Sequence, residues 1–392
     1  MRTGRRITFG ARDVLRLVVT LASLICILAG CAGASGDGPS DRGQPPSSAH
    51  AQGEQPSTLS GMSVRDMVGQ MFVVSVGGTR PDYYIEKMVR ERNIGGVILF
   101  GYNMKSEKQV KSLTSSLQML SMKTEPAVPL FVAVDQEGGD IASAPWVAPE
   151  PAAAEVGRDG DPEQAHDIAA RMGRQILLAG INTDFAPVVD TGFGAAIGNR
   201  SYGEDPELVA RMGAAAVQGF EEAGVISAAK HFPNHGPATS DSHVSLPVIH
   251  HDRETLRSYD LPPFRAAIEA GVPMVMVGHL VYPAIDPEHP ASLSKGAISM
   301  LREDLGFDGV VVTDDLAMAG ASGGGPPAGP AVEAVKAGAD LLIVSSPPQQ
   351  QADAYDAVVA AVESGEVSRA QIRESVGRIL RVKEKYHLHG AG

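Results

Sequence analysis

Eight short apolar runs recur along this chain, separated by longer stretches, several of them amphipathic. The runs are MFVVSVGG from Met71, GGVILFG from Gly95, PLFVAVDQEGG from Pro129, NTDFAPVVD from Asn182, VISAAKHF from Val225, VPMVMVGHL from Val272, DGVVVTDDL from Asp308 and ADLLIVSS from Ala339. Each is rich in β-branched residues and largely unalternating, which suits strands covered on both faces in a parallel arrangement. Between them, YYIEKMVRER, EQAHDIAARMGRQILLAG and PELVARMGAAAVQGFEEAG read as helices, and the last two stop at glycine. Eight β–α units in about 330 residues fit a (β/α)8 TIM barrel in a single domain. The other arrangement open to this pattern is a doubly wound open sheet. No GxGxxG follows the first run, so a dinucleotide site has no support.

The start of the chain stands outside this pattern. MRTGRRITFGARDVLR is basic, and the uncharged LVVTLASLICILA follows. That run is short of the ~20 residues a membrane-spanning helix needs and has the length of a signal-peptide core. It ends in Leu28-Ala29-Gly30-Cys31, which resembles a bacterial lipobox and implies cleavage before Cys31 and lipidation of its sulfur. A plain secretory signal with an incidental cysteine is the other reading. Arg5 and Arg6 hint at twin-arginine export. Residues 1–30 are expected to be the signal and residues 31–60, rich in Gly, Ser, Pro and Gln, a flexible tether. Residues 61–392 are expected to be the folded domain.

The two cysteines, Cys26 and Cys31, both precede that domain, so it holds no thiol or disulfide. The first thirty residues carry five arginines and one aspartate, so a chain starting at Cys31 has a formal charge of −17 against −13 for the whole sequence. Such an acidic balance excludes nucleic acid as a partner and leaves the lipid as the only expected membrane contact.

Active sites of such barrels lie at the C-terminal ends of the strands. The third run ends in Asp135, the fourth in Asp190, the fifth in Lys230-His231, the sixth in His279 and the seventh in Asp314-Asp315. A single aspartate after a strand is commonly a helix N-cap. Five strand ends with ionisable residues, lysine and histidine among them, exceed what capping explains. Metal-dependent hydrolysis would draw on His231, His235, Asp241 and His243. However, His231 and His235 flank Pro233, no regular helix presents them together, and no HExxH occurs. Glycoside cleavage needs a carboxylate and a proton donor. Asp314 would supply the first, and the irregular segment after the fifth run the second.

The motifs AVDQEGG, DFAPVVD, IGNRSYGEDP, KHFPNHG, DSHVSLP and LREDLGFDGVVVTDDLAM occur in this order. Through them the chain, from about Met62 to Lys385, resembles bacterial β-N-acetylhexosaminidases of glycoside hydrolase family 3, the single-barrel kind that acts on cell-wall fragments. The resemblance implies a nucleophile at Asp314 and an acid/base dyad of His243 and Asp241, carried on a loop that swings over the glycosidic oxygen. It implies sugar-binding roles for Asp135, Arg200, Lys230 and His231, and no metal or organic cofactor. The expected activity is that of an exported, lipid-anchored, retaining exo-β-N-acetylglucosaminidase acting on peptidoglycan-derived fragments. A different sugar preference, such as a β-glucosidase, transfer to phosphate, and a sugar-binding lipoprotein without catalysis are the alternatives.

Two departures from the family pattern stand out. Asn234 and Pro237 replace the usual Gly and Asp of KHFPGHGD; asparagine tolerates left-handed backbone angles better than most residues, so the turn is expected to survive. After DQEGG, Asp140 and Ser143 stand where arginines are usual, so one sugar contact is expected to be missing.

Overall fold

In the computed structural model, residues 56–388 are described. Eight parallel strands form one sheet: β1 (Phe72–Ser75), β2 (Gly96–Ile98), β3 (Phe131–Val134), β4 (Thr183–Asp184), β5 (Ile226–Phe232), β6 (Met274–Val277), β7 (Val310–Thr313) and β8 (Leu342–Val344). From β1 to β7 each pairs with the next in sequence, and β1 also pairs with β8, Phe72 opposite Leu342. Between β7 and β8 the ring closes through a parallel bridge of Val312 with Leu341 and a 2.9 Å bond from Thr313 N–H to Leu341 O. All eight runs thus contribute a strand, and the doubly wound alternative is set aside.

Every residue of β1, β3, β6 and β7 is buried. Side chains filling the barrel cover one face and the outer helices the other, which is why their sequences show no period-two alternation. Each large apolar side chain so buried is worth about 1.5–3 kcal/mol. At Gly96 a Cβ would lie 2.8 Å from both the Cβ and the carbonyl oxygen of Phe131, so β2 and β3 approach closely because that side chain is absent.

The helices are set by their ends. Pro162–Leu178 and Pro206–Ala223 each open with an aspartate N-cap, Asp161 and Asp205, and a proline in the first turn. Gly224, at φ 74°, closes the second. The folded unit reaches back beyond the expected residue 61: the 3-10 turn Ser57–Gly61 buries Leu59 in the core. β4 is shorter than its apolar run. Pro187, which has no N–H to give, interrupts it, and pairing with β5 resumes at Val188 opposite Lys230. Among the described residues no helix is long and apolar enough to cross a membrane.

Candidate active site

A hairpin directly after β3 sets one wall of the site. Gln136–Gly138 pairs antiparallel with Ile141–Ala142, and Gly138 and Gly139 take φ of 89° and 56° to make the turn. This brings Asp135, Glu137 and Ser143 to a cavity of about 440 Å³ at the C-terminal mouth of the barrel. The cavity is also lined by Arg200, Lys230, His231, His243 and Asp314, and by Ile98, Met276 and Ile343 from the strand ends. Asp135, Arg200, Lys230, His231, His243 and Asp314 therefore share one space. Asp241 stands behind His243.

Glu137 organises the charges, although the sequence reading passed over it. Its two oxygens each lie 2.7 Å from an Arg200 nitrogen, Nε and Nη2, and Oε1 is also 2.7 Å from Lys230 Nζ. Lys230 donates to Asp135 Oδ1 at 2.6 Å as well. Burial would raise the Glu137 carboxyl; Lys230 and Arg200 outweigh it and hold it down at about 2. Burial disfavours the Lys230 ammonium too, but Asp135 and Glu137 overcome that and raise its pKa. These bonds use two of the three Lys230 N–H groups. Arg200 gives two of its five to Glu137 and one to Ala196 O. Both side chains line the cavity with N–H groups not used in these bonds.

His231 Nδ1 lies 2.7 Å from Asp190 Oδ2, which also takes the His231 backbone N–H. Burial, Arg200 and Lys230 together depress the His231 pKa against the pull of Asp314, so the ring is neutral. With Nδ1–H given to Asp190, Nε2 is left as an acceptor. Asp190 itself is pushed up to about 6 by burial, opposed by His235 and by the N–H groups it accepts. Two strand-end residues thus lie behind the cavity: Asp190 and His279 are both fully buried. His279 bonds Ser292 Oγ through Nδ1 and Asp315 O through Nε2.

Asp314 follows β7 and accepts the Asp315 N–H at 2.8 Å. Burial would raise it; His279, that N–H and Lys230 outweigh burial and bring it down to about 2. It is an ionised carboxylate in a sheltered place. His243 lies on the irregular segment after β5, largely exposed, its Nδ1 2.8 Å from Asp241 Oδ1. That oxygen also takes the His243 backbone N–H at 2.9 Å. Burial would raise the Asp241 pKa, and the two hydrogen bonds from His243 with its charge outweigh it and lower it overall. An anion and an aspartate-paired imidazole on separate loops of one cavity can attack a carbon and move a proton.

Asn234 does not draw on the expected tolerance: its backbone is not left-handed. Instead the buried side chain acts as a brace: Oδ1 accepts from Thr191 N–H and Gly236 N–H, and Nδ2 donates to Thr191 O and Asp260 Oδ1. Ser143 faces the cavity where the family usually has arginine, and Asp140 is turned to Asn199 Nδ2 at 2.9 Å. Among the described residues no group of three or more His, Cys, Asp or Glu is arranged to hold a metal ion. Cys31 lies outside the described residues.

The family described as Glycosyl hydrolase family 3 N terminal domain matches residues 63–382. The chain belongs to glycoside hydrolase family 3. Among family 3 relatives, it is 35% identical over 329 residues to beta-hexosaminidase A of Pseudoalteromonas piscicida, covering 77% of this chain and 55% of that protein. It is 36% identical over 319 residues to the beta-hexosaminidase of Stenotrophomonas maltophilia strain K279a, covering 79% of this chain and 91% of that protein. A solved family 3 beta-N-acetylglucosaminidase from Paenibacillus sp. str. FPU-7 superimposes with a TM-score of 0.82 at 40% identity, over 84% of this chain and 64% of that one. The chain thus spans little more than half of the first of these relatives and nearly all of the second.

Proposed function

We propose that this protein is an exo-acting, retaining β-N-acetylglucosaminidase that removes terminal N-acetylglucosamine from peptidoglycan-derived fragments. The observation that carries the reading is that ionised Asp314 and Asp241-paired His243 line the same cavity as the Glu137–Lys230–Arg200 cluster. The names of the relatives, beta-hexosaminidase and beta-N-acetylglucosaminidase, support the sugar.

In this mechanism a terminal sugar enters the cavity, its hydroxyls taken by the unused N–H groups of Lys230 and Arg200, by Asp135 and by Nε2 of His231. Asp314 attacks the anomeric carbon as the bond to the leaving oxygen breaks. His243 gives its Nε2 proton to that oxygen, and Asp241 stabilises the imidazolium form and fixes the ring. Water then attacks the glycosyl–Asp314 ester while His243 takes back a proton. Two displacements at one carbon retain its configuration.

Ser143 favours one further reading, a different sugar preference, because the usual cationic contact is absent. One assay separates the two: an aryl β-N-acetylglucosaminide and an aryl β-glucoside are offered to the protein, with and without phosphate. Preferential release from the first supports the proposal, preference for the second the alternative, and release from neither a binding protein. Phosphate-dependent formation of a sugar 1-phosphate would replace water as the acceptor.

We further propose processing and lipid attachment at Cys31, on the strength of the LAGC motif. Intact-mass measurement of the membrane fraction would then show an acylated Cys31 at the N-terminus. A freely secreted, unmodified chain would overturn this.

A further inference from the structure

The acid/base dyad flanks a residue that the mechanism leaves unused. His243 exposes 66% of its side chain, whereas Ser242, immediately before it, is 2% exposed. Its Oγ lies 2.9 Å from Nε2 of His235. Its carbonyl oxygen accepts the N–H of Gly320 at 3.0 Å. Across residues 239–246, every other hydrogen bond stays within the segment, joining Asp241 to His243, Val244 and Ser245. Ser242 is therefore the one point at which this stretch bonds to the rest of the described molecule.

Both anchors lead to the reacting groups. The backbone N–H of His235 lies 2.5 Å from Oδ1 of Asp190, the carboxyl that also orients His231. Buried Nδ1 of His235 has no partner, so the Ser242 hydroxyl is the ring's hydrogen-bonding contact among the described residues. Gly320 lies on the segment that leaves β7 through Asp314. A Cβ there would stand 2.9 Å from Ser242 O and 2.9 Å from His279 Cβ, so the two segments meet only because this residue is glycine.

We propose that Ser242 is a positioning residue: its hydroxyl–His235 and carbonyl–Gly320 bonds dock the acid/base segment against the loop bearing Asp314 and so set where His243 stands. The inference rests on His243 being the acid/base. A loss of position of about 1 Å at a reacting group can cost about 10²-fold in rate. The cost should fall on the step that needs the acid, not on the attack by Asp314.

The test compares the full-length wild type with Ser242→Ala, Gly320→Ala, His235→Gln and His243→Ala. The substrates are N,N′-diacetylchitobiose, whose leaving group needs protonation, and a dinitrophenyl β-N-acetylglucosaminide, whose leaving group does not. Ser242→Ala and Gly320→Ala should lose about 10- to 100-fold in kcat on the disaccharide, while the pre-steady-state burst with the aryl glycoside stays within a factor of about 2. His235→Gln, which keeps an amide nitrogen to meet Ser242, should retain most disaccharide turnover. Adding Ser242→Ala to His243→Ala should cost nothing more, since the first acts through the second. Equal losses on both substrates, additive losses in the double variant, or full disaccharide activity in Ser242→Ala would each overturn the inference. If His243→Ala alone cleaves the disaccharide normally, the acid/base assignment fails, and the role of Ser242 with it.

Discussion

Glu137 and Arg200 are joined as a fork to a fork, each carboxylate oxygen 2.7 Å from a guanidinium nitrogen, with the Glu137 side chain only 6% exposed. Lys230 completes the cluster on Oε1. This buried carboxylate neutralises the two cations that a sugar would meet, and it fixes their direction. Lys230 comes from β5 and Arg200 from the 3-10 turn Gly198–Arg200, and Glu137 is the carboxylate that bonds both.

Removing the Glu137 charge should therefore cost stability and binding together. Glu137→Gln leaves the buried Lys230 and the partly buried Arg200 with one partly exposed carboxylate, Asp135, beside Lys230. Breaking a buried pair in this way typically costs about 3–5 kcal/mol. Chemical denaturation should show a loss of that order, together with a raised KM. A midpoint within error of wild type would show that the cluster contributes nothing to the fold.

The same group gives the acid limb of stability. Glu137 and Asp314, ordinarily near 4.5 and 3.8, are both held at about 2 in the folded chain. Depressed carboxyls stabilise the fold above their unfolded values, and that contribution is lost as pH falls from about 4.5 through about 2. Asp190 and Asp260 run the other way, both raised to about 6 by burial against the donors around them. They bind protons more tightly when folded, so acidification from about pH 6 to about pH 4 favours the fold through them. His231 opposes them: kept neutral by burial in the folded chain, it costs stability as the unfolded chain takes up a proton below about pH 6.5, so denaturation midpoints should change little from pH 7 to about 5 and drop below about 4. A steady fall beginning at pH 7 would contradict these assignments.

Ser143 offers a test by gain. It lines the cavity, whereas Asp140 is turned to Asn199, so arginine restored at 143 can reach the sugar and arginine at 140 cannot. A charged hydrogen bond is worth about 1.5–3 kcal/mol, so Ser143→Arg should raise kcat/KM for the N-acetylglucosaminide by about 10- to 100-fold. Asp140→Arg should not. An unimproved, well-folded Ser143→Arg would mean that the site has adapted to do without that contact.

The barrel was legible because a parallel strand buried on both faces leaves an unbroken apolar run, and all eight runs read this way became strands. The motifs likewise placed Asp135, Arg200, Lys230, His231, His243 and Asp314 around one cavity. Glu137 was missed for a physical reason: inside AVDQEGG it looks like any carboxylate beside Asp135. The need to neutralise Lys230 and Arg200 appears only when loops distant in sequence are brought together. The same holds for Ser242, an ordinary serine until His235 and Gly320 are seen against it. Asn234 misled because a Gly-to-Asn change suggests backbone freedom, whereas its amide is used as a four-bond brace.

The assignment of Asp314 as nucleophile is tested most directly by trapping. A fluorinated N-acetylglucosaminyl fluoride, whose ring fluorine slows hydrolysis of the intermediate, is incubated with the protein, which is then digested and mapped by mass. The expected result is a single adduct of one fluorosugar on the peptide bearing Asp314, absent from Asp314→Asn, with the released product of an ordinary substrate keeping the β-configuration. A label on another carboxylate, or an α-configured product with no adduct, would contradict the double displacement through Asp314.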